Sequence, residues 1–259
     1  MSSTKFDINK KRKLLYKRKR RRKFIFYITS SIFILILFLT FKSFNNIYFN
    51  KKIASNTSSN NEFIICIDPG HGDWDVGAKG ISGSLEKDIV LSIALKLGEL
   101  LDKEENIKIV YTRTNDSIPW LDNSNDSLKE RIKISEVFKA DLFISIHCNS
   151  NYDDKTVKGI ETWYKSSDEK SKDFAKYIQY ELSNIDFTED RGIKTYSNKE
   201  DALAVLELNS TTSALVELGF LSNTSDERYL KSENGQNFCA EALKNGILKY
   251  INDNKLNKI

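Results

Sequence analysis

DLFISIH, Asp141–His147, decides the architecture. Leu142, Phe143, Ile144 and Ile146 form a near-continuous apolar run bounded by polar residues, which reads as a strand covered on both faces. Working outward, FIICI at Phe63–Ile67, IKIVY at Ile107–Tyr111, GIETWY at Gly159–Tyr164 and SALVELGF at Ser213–Phe220 share its length and its β-branched content. The segments between them, Glu86–Lys103, Leu128–Lys139, Lys170–Ser183 and Gly235–Ile251, carry helical periodicity. Ser127 with Glu130 forms a capping-box start for the second helix, and Gly98 is a tolerated weak point in the first. Strands alternating with helices in this way predict a single α/β domain whose mostly parallel sheet is covered by helices.

The rest of the chain divides by charge. Its 259 residues carry a formal net charge of +4, yet residues 1–23 hold twelve Lys/Arg against one acid, leaving 28 basic and 35 acidic residues in the remainder. The folded part is therefore acidic, which argues against nucleic acid as a partner. Residues 24–41, FIFYITSSIFILILFLTF, contain no charge, and eighteen helical residues reach about 27 Å, enough to cross a bilayer core. Eleven basic residues crowd Lys10–Lys23, so residues 1–23 read as a cytoplasmic tail and the rest as extracytoplasmic. The stretch after Thr40 lacks a small-x-small cleavage site, which favours an uncleaved anchor, although Ala54-Ser55 leaves cleavage open. Residues 42–62 are a polar linker, and the domain expected at 63–254 works near the membrane.

Cys66, Cys148 and Cys239 are odd in number and widely spaced, so they are expected to be reduced. His71 and His147, in DPGHG and SIHCNS, are the chain's two histidines, and both fall at carboxyl ends of expected strands, where α/β sheets gather ligands. Either one alone would more often be structural. Together they need one carboxylate to complete a two-His, one-Glu zinc site, and Glu86, opening the helix after the first strand, is the candidate, although taken alone it reads as an ordinary first-turn Glu facing the helix dipole. Glu217 interrupts an otherwise apolar strand, where an unpaired carboxylate is costly. It reads either as a general base or as half of a structural ion pair with Arg113 or Arg131.

IDPGHG, SLEKD, TRTND, LKERIKISEVFKADLFISIHCNS, GIETWY, DRGIK and ALVELGFLSN occur in order from about Ile64 to Tyr250. Together they resemble the type 3 family of N-acetylmuramoyl-L-alanine amidases. The resemblance implies one zinc ion held by His71, Glu86 and His147, with Glu217 as the catalytic acid/base. The implied substrate is peptidoglycan, cut at the amide between the lactyl group of N-acetylmuramic acid and L-alanine. It extends to short, single-domain members with an N-terminal membrane segment, including those that trim spore-cortex peptidoglycan. With no wall-binding repeats flanking the domain, a separate activating or tethering protein partner is an expectation. Two positions depart from the family pattern, Glu207 and Thr212 standing where an Arg and a Pro are common, which bears on substrate contacts. Cys148 follows the second histidine in place of a small Ala, and strand alternation turns its side chain away from His147.

Two rivals remain at this level. A cysteine or serine hydrolase would need Cys66, Cys148 or Ser145 to be activated, and no triad accompanies them. A membrane-tethered peptidoglycan-binding or scaffold module would keep the fold with little turnover. Arg113 and Arg131 either hold acidic groups of substrate or make structural pairs. Asp68, Asp75, Gly70, Gly72 and Gly77 are assigned to shaping the loop that presents His71, while Asn149 either contacts substrate or caps its strand.

Overall fold

A computed structural model describes residues 62–118, 124–198 and 202–256. The expected cytoplasmic tail, membrane anchor and most of the linker lie outside the described residues. Among the described residues no helix is long and apolar enough to cross a membrane.

The strands are β1 (Phe63–Pro69), β2 (Ile107–Tyr111), β3 (Leu142–Asn149), β4 (Ile160–Trp163), β5 (Asp190–Lys194) and β6 (Thr212–Phe220). The helices are α1 (Glu86–Leu101), α2 (Ser124–Val137), α3 (Glu169–Ser183), α4 (Ala204–Glu207), α5 (Thr224–Leu230) and α6 (Glu233–Leu256). The six strands form one sheet in the order β2-β1-β3-β6-β4-β5. Four of its neighbouring pairs are parallel, and β4 runs antiparallel to β6. A mostly parallel sheet flanked by helices is what the apolar strand runs predicted.

Helix α1 shows why these residues fold this way. Its buried positions are Glu86, Ile89, Val90, Ile93, Ala94, Leu97, Gly98 and Leu101, a repeating three-four spacing that lays one stripe on the sheet. Gly98 is no weak point: a Cβ there would stand 1.5 Å from the Tyr111 hydroxyl of β2, so glycine is what lets helix and strand close together. Alternation along β3 and β6 sorts residues between two faces. Ile144, Ile146, Cys148, Ala214, Val216 and Leu218 join the larger core cluster, which also takes in apolar residues of α1, α3 and α6. Fully burying each Ile, Leu or Val in it contributes roughly 1.5–3 kcal/mol. Phe143 and Leu215 point the other way, with Cys66, Val205 and Leu206, into a smaller cluster with Leu128 and Ile134 of α2 packed against it. His147 and Glu217 alternate onto this second face.

Three expectations need correction. Strand β5 was not foreseen, because DRGIK carries three charges and a glycine and is a partly exposed edge strand. Helix α2 begins at Ser124, a turn before the expected start, so Ser127 lies within it and is not its cap. The apolar period starts only at Leu128, whereas the first turn is polar and carries Asp126, which favours a helix N-terminus. Helix α5 was likewise missed, though Asn223 caps it by accepting hydrogen bonds from the Ser225 and Asp226 amides.

Candidate metal centre

The site forms where β1 and β3 end and α1 begins. Glu86 is the first residue of α1 and 3% exposed. Its Oε1 lies 3.0 Å from His71 Nε2 and 3.0 Å from His147 Nδ1, and it accepts the Cys148 amide at 2.9 Å. Its Oε2 accepts the Ala78 amide at 2.7 Å. One donor atom from each of the three residues lies within 4.8 Å of the others, and the two imidazoles meet edge to face with centroids 4.8 Å apart. Of the residues expected to ligate a metal, all three are brought together.

The donor set passes a chemical test for zinc. Two imidazole nitrogens and one carboxylate form the open three-ligand type of site, and zinc bonds of about 2.0–2.1 Å require donors somewhat over 3 Å apart. His71 also has the outer partner that such ligands use, since its Nδ1 lies 2.8 Å from Asp75 Oδ2. Burial would lower the pKa of His71, but the carboxylates of Glu86 and Asp75 outweigh it and hold the ring above its ordinary value. Burial would raise Glu86, yet His147 and His71 hold its carboxyl well below the usual range. Groups in that balance exchange a proton for a cation.

The loop carrying His71 is held in an unusual shape. His71 and Asp73 have φ values of 59° and 53°, a left-handed conformation costing about 1–3 kcal/mol per non-glycine residue. Buried arginines hold the loop backbone there. Arg113 donates to the carbonyls of Pro69, Gly70 and Lys87, and Arg131 donates to those of Pro69 and His71. Arg131 also pairs with Asp68 at 2.6 Å, and Asp68 accepts from Thr112 and Ser145. The two arginines are thus structural, and neither is the ion-pair partner of Glu217.

Glu217 stands next to this group. On β6 it is in register with His147 of β3 on one side and with Glu161 of β4 on the other. Its Oε2 is buried without a hydrogen-bond partner among the described residues, although other parts of the residue reach solvent. Burial first, and then the charges of Glu86 and Glu161, push its pKa well above the carboxylate range. Glu161 is 4% exposed and accepts from Asn149, Trp163 and Arg191. A cleft of about 350 Å³, lined by Gly70, His71, Arg131, His147, Leu203 and Leu215 among others, opens over the two histidines. A larger hollow of about 610 Å³ between α3 and α6 contains carboxylates but no histidine.

Cys148 is buried in the larger core cluster, turned away from the cleft as strand alternation predicted. Sequence reasoning missed two functional partners. Asp75 was read as a turn residue, and Glu161 was read only as part of a strand. The signal that singled out Glu217, a carboxylate inside an apolar strand, is equally present in GIETWY. Asn149 supports Glu161, and Glu207 accepts a hydrogen bond from Tyr196 at 2.6 Å.

This fold places the chain among amidase catalytic domains. It belongs to the N-acetylmuramoyl-L-alanine amidase family, whose model matches residues 65–249. It is similar to the N-acetylmuramoyl-L-alanine amidase LytC of Bacillus subtilis, 38% identical over 191 residues that make up 72% of this chain and 35% of LytC. The chain therefore spans about a third of that relative. The germination-specific N-acetylmuramoyl-L-alanine amidase of B. subtilis is 30% identical over 229 residues, 85% of this chain and 92% of that protein. Among solved structures, the CwlD amidase from Clostridioides difficile in complex with the GerS lipoprotein is 32% identical, with a TM-score of 0.65 over 74% of this chain and 99% of CwlD.

Proposed function

We propose that this chain is a zinc-dependent N-acetylmuramoyl-L-alanine amidase, hydrolysing the amide that joins N-acetylmuramic acid to L-alanine in peptidoglycan. The observation that carries the reading is the convergence of His71 and His147 on one oxygen of Glu86, with Glu217 in register beside His147. His71, Glu86 and His147 would hold the metal. When bound, zinc supplies Lewis acidity to the amide carbonyl and to the attacking water.

The protein's own residues do the rest. Glu217 takes the proton of the attacking water and passes it to the leaving L-alanine nitrogen, a role that contributes roughly 10²–10⁴-fold. Asp75 fixes the tautomer of His71 by accepting its Nδ1 proton, which leaves the Nε2 lone pair for the metal. Arg113 and Arg131 hold the loop that aims this ring.

The reading also places the domain outside the cell, anchored by residues 24–41, with 1–23 in the cytoplasm, 42–62 as tether and 63–254 as the catalytic domain. The apolar run and the basic segment before it support this. Spore-cortex peptidoglycan is the proposed substrate form, on the similarity to the germination-specific amidase. A lipoprotein is the proposed type of partner, by analogy with CwlD and GerS.

The test is digestion of purified peptidoglycan by the full-length chain in detergent, with zinc, with chelator and as Glu217→Gln. Mass spectrometry should find stem peptides with a free L-alanine amine, lost with chelator and in the variant. Turnover that survives chelation would overturn the metal reading and favour a serine or cysteine hydrolase. Binding to peptidoglycan without release of peptide would favour a tethered binding module.

A further inference from the structure

Arg191 is anchored by Glu161, the residue directly opposite Glu217 on the neighbouring strand. Its Nε donates to Glu161 Oε2 at 2.7 Å, and its guanidinium carbon lies 5.1 Å from the centroid of the Phe220 ring. The side chain is 35% exposed, against 5% for Glu161. Neither Nη nitrogen has a hydrogen-bond partner among the described residues. A guanidinium fixed at Nε and against an aromatic face presents its remaining two-pronged edge in one direction, the geometry that binds a carboxylate bidentately.

Its position follows from strand register. Glu161 is directly opposite Glu217, so both side chains occupy the face that carries His147. Arg191 reaches back from the edge strand β5 to Glu161 on that face, which sets its guanidinium on the order of 5–10 Å from Glu217, one to two strand spacings. Glu161 spends both oxygens on donors from Asn149, Trp163 and Arg191, so it holds the arginine without leaving an oxygen free of a donor.

We propose that Arg191 is a specificity-determining residue that binds the carboxylate of the stem residue following L-alanine. This rests on the amidase reading above. That residue lies about 3.5 Å further along an extended chain than L-alanine, plus the reach of its own side chain, a length of the same order as the one to two strand spacings that separate Glu217 from the Arg191 guanidinium.

The experiment compares two ligands, N-acetylmuramoyl-L-alanyl-D-glutamate and the same compound with both glutamate carboxyls amidated. The full-length chain in detergent is assayed for cleavage of each and, loaded with chelator, for equilibrium binding of each by calorimetry. We expect the acid to bind at least tenfold more tightly than the amide, and to be preferred in KM rather than kcat. Arg191→Gln should bring the two ligands to parity, and Arg191→Lys should keep part of the preference. Equal binding of the two ligands by the unsubstituted chain, or no binding of either, overturns the proposal even where no variant folds. A preference that persists in Arg191→Gln overturns it as well. Cleavage without preference leaves the amidase reading standing and this inference fallen, whereas preference without cleavage does the reverse.

Discussion

Asp75 Oδ2 lies 2.8 Å from His71 Nδ1, four residues along the same loop, and its other oxygen accepts the Gly77 amide. One carboxylate thus sets both the ring and the turn behind it. Replacing Asp75 with Ala should lower zinc affinity about 10–100-fold, the usual effect of losing an outer partner of a metal-bound imidazole. Asp75→Asn should lose less, because its amide oxygen still accepts the same proton. Competition titration against a chelator of known affinity measures this, and an unchanged affinity in Asp75→Ala would remove Asp75 from the site.

Glu217 pits stability against function. Its Oε2 is buried without a hydrogen-bond partner among the described residues, and Glu86 and Glu161 add like charge nearby. Glu217→Gln should therefore raise the melting temperature of the chelator-treated protein, since a neutral amide relieves burial and repulsion that cost on the order of 1–3 kcal/mol. The same variant should lose about 10²-fold or more in turnover while retaining its zinc content. Loss of zinc along with activity would reassign Glu217 from proton transfer to metal binding.

Much of this was legible in the sequence, for a physical reason in each case. Strands β3 and β6 announced themselves because burial on both faces leaves a run of apolar residues, and His147 and Glu217 stood out as exceptions to it. Helix α1 was clear from its three-four spacing. Strand β5 was hidden because an edge strand with partly exposed faces need not be apolar. Asp75 was hidden because its partner depends on His71 adopting a left-handed backbone, which no local pattern encodes. The arginines were ambiguous in sequence and became structural once Asp68 and the loop carbonyls were seen to use their donors.

Gly77 has φ of 65°, and a Cβ there would lie 2.4 Å from Glu86 Oε2 and 2.7 Å from His71 Cδ2. Both obstacles belong to the proposed metal-ligand group, so the site and not the core must yield. Gly77→Ala is expected to cost about 1–3 kcal/mol in backbone strain alone and to lower zinc affinity in the same titration. A variant with normal affinity would mean that the loop relaxes without moving His71.

The three thiols should be unreactive in the native protein. Cys66, Cys148 and Cys239 are free and buried, and burial raises all three, Cys239 to about 12. Since the thiolate is the reacting species, alkylation at neutral pH should label none of them until the chain is unfolded, and amidase activity should survive the reagent. Labelling of Cys148 with loss of turnover would revive the cysteine-hydrolase reading.

Asp68 supplies the pH dependence that can be tested apart from the metal. It is fully buried, and although burial would raise its pKa, Arg131 and the hydroxyls of Thr112 and Ser145 hold the carboxyl below its ordinary value of 3.8. A folded-state pKa lower than the unfolded one means that the unfolded chain binds the extra proton first. Asp68 therefore contributes its full stabilisation above about pH 5, and this is lost as pH falls through the unfolded value toward the folded one. Asp68→Asn should cost about 3–5 kcal/mol at pH 7, because it breaks the buried ion pair that Asp68 makes with Arg131 at 2.6 Å. It should also flatten the fall in stability between about pH 5 and pH 2. Denaturant unfolding of both chains with chelator present, across that range, measures the two effects together. Parallel pH profiles would mean that Arg131 draws its compensation from the loop carbonyls instead of from Asp68.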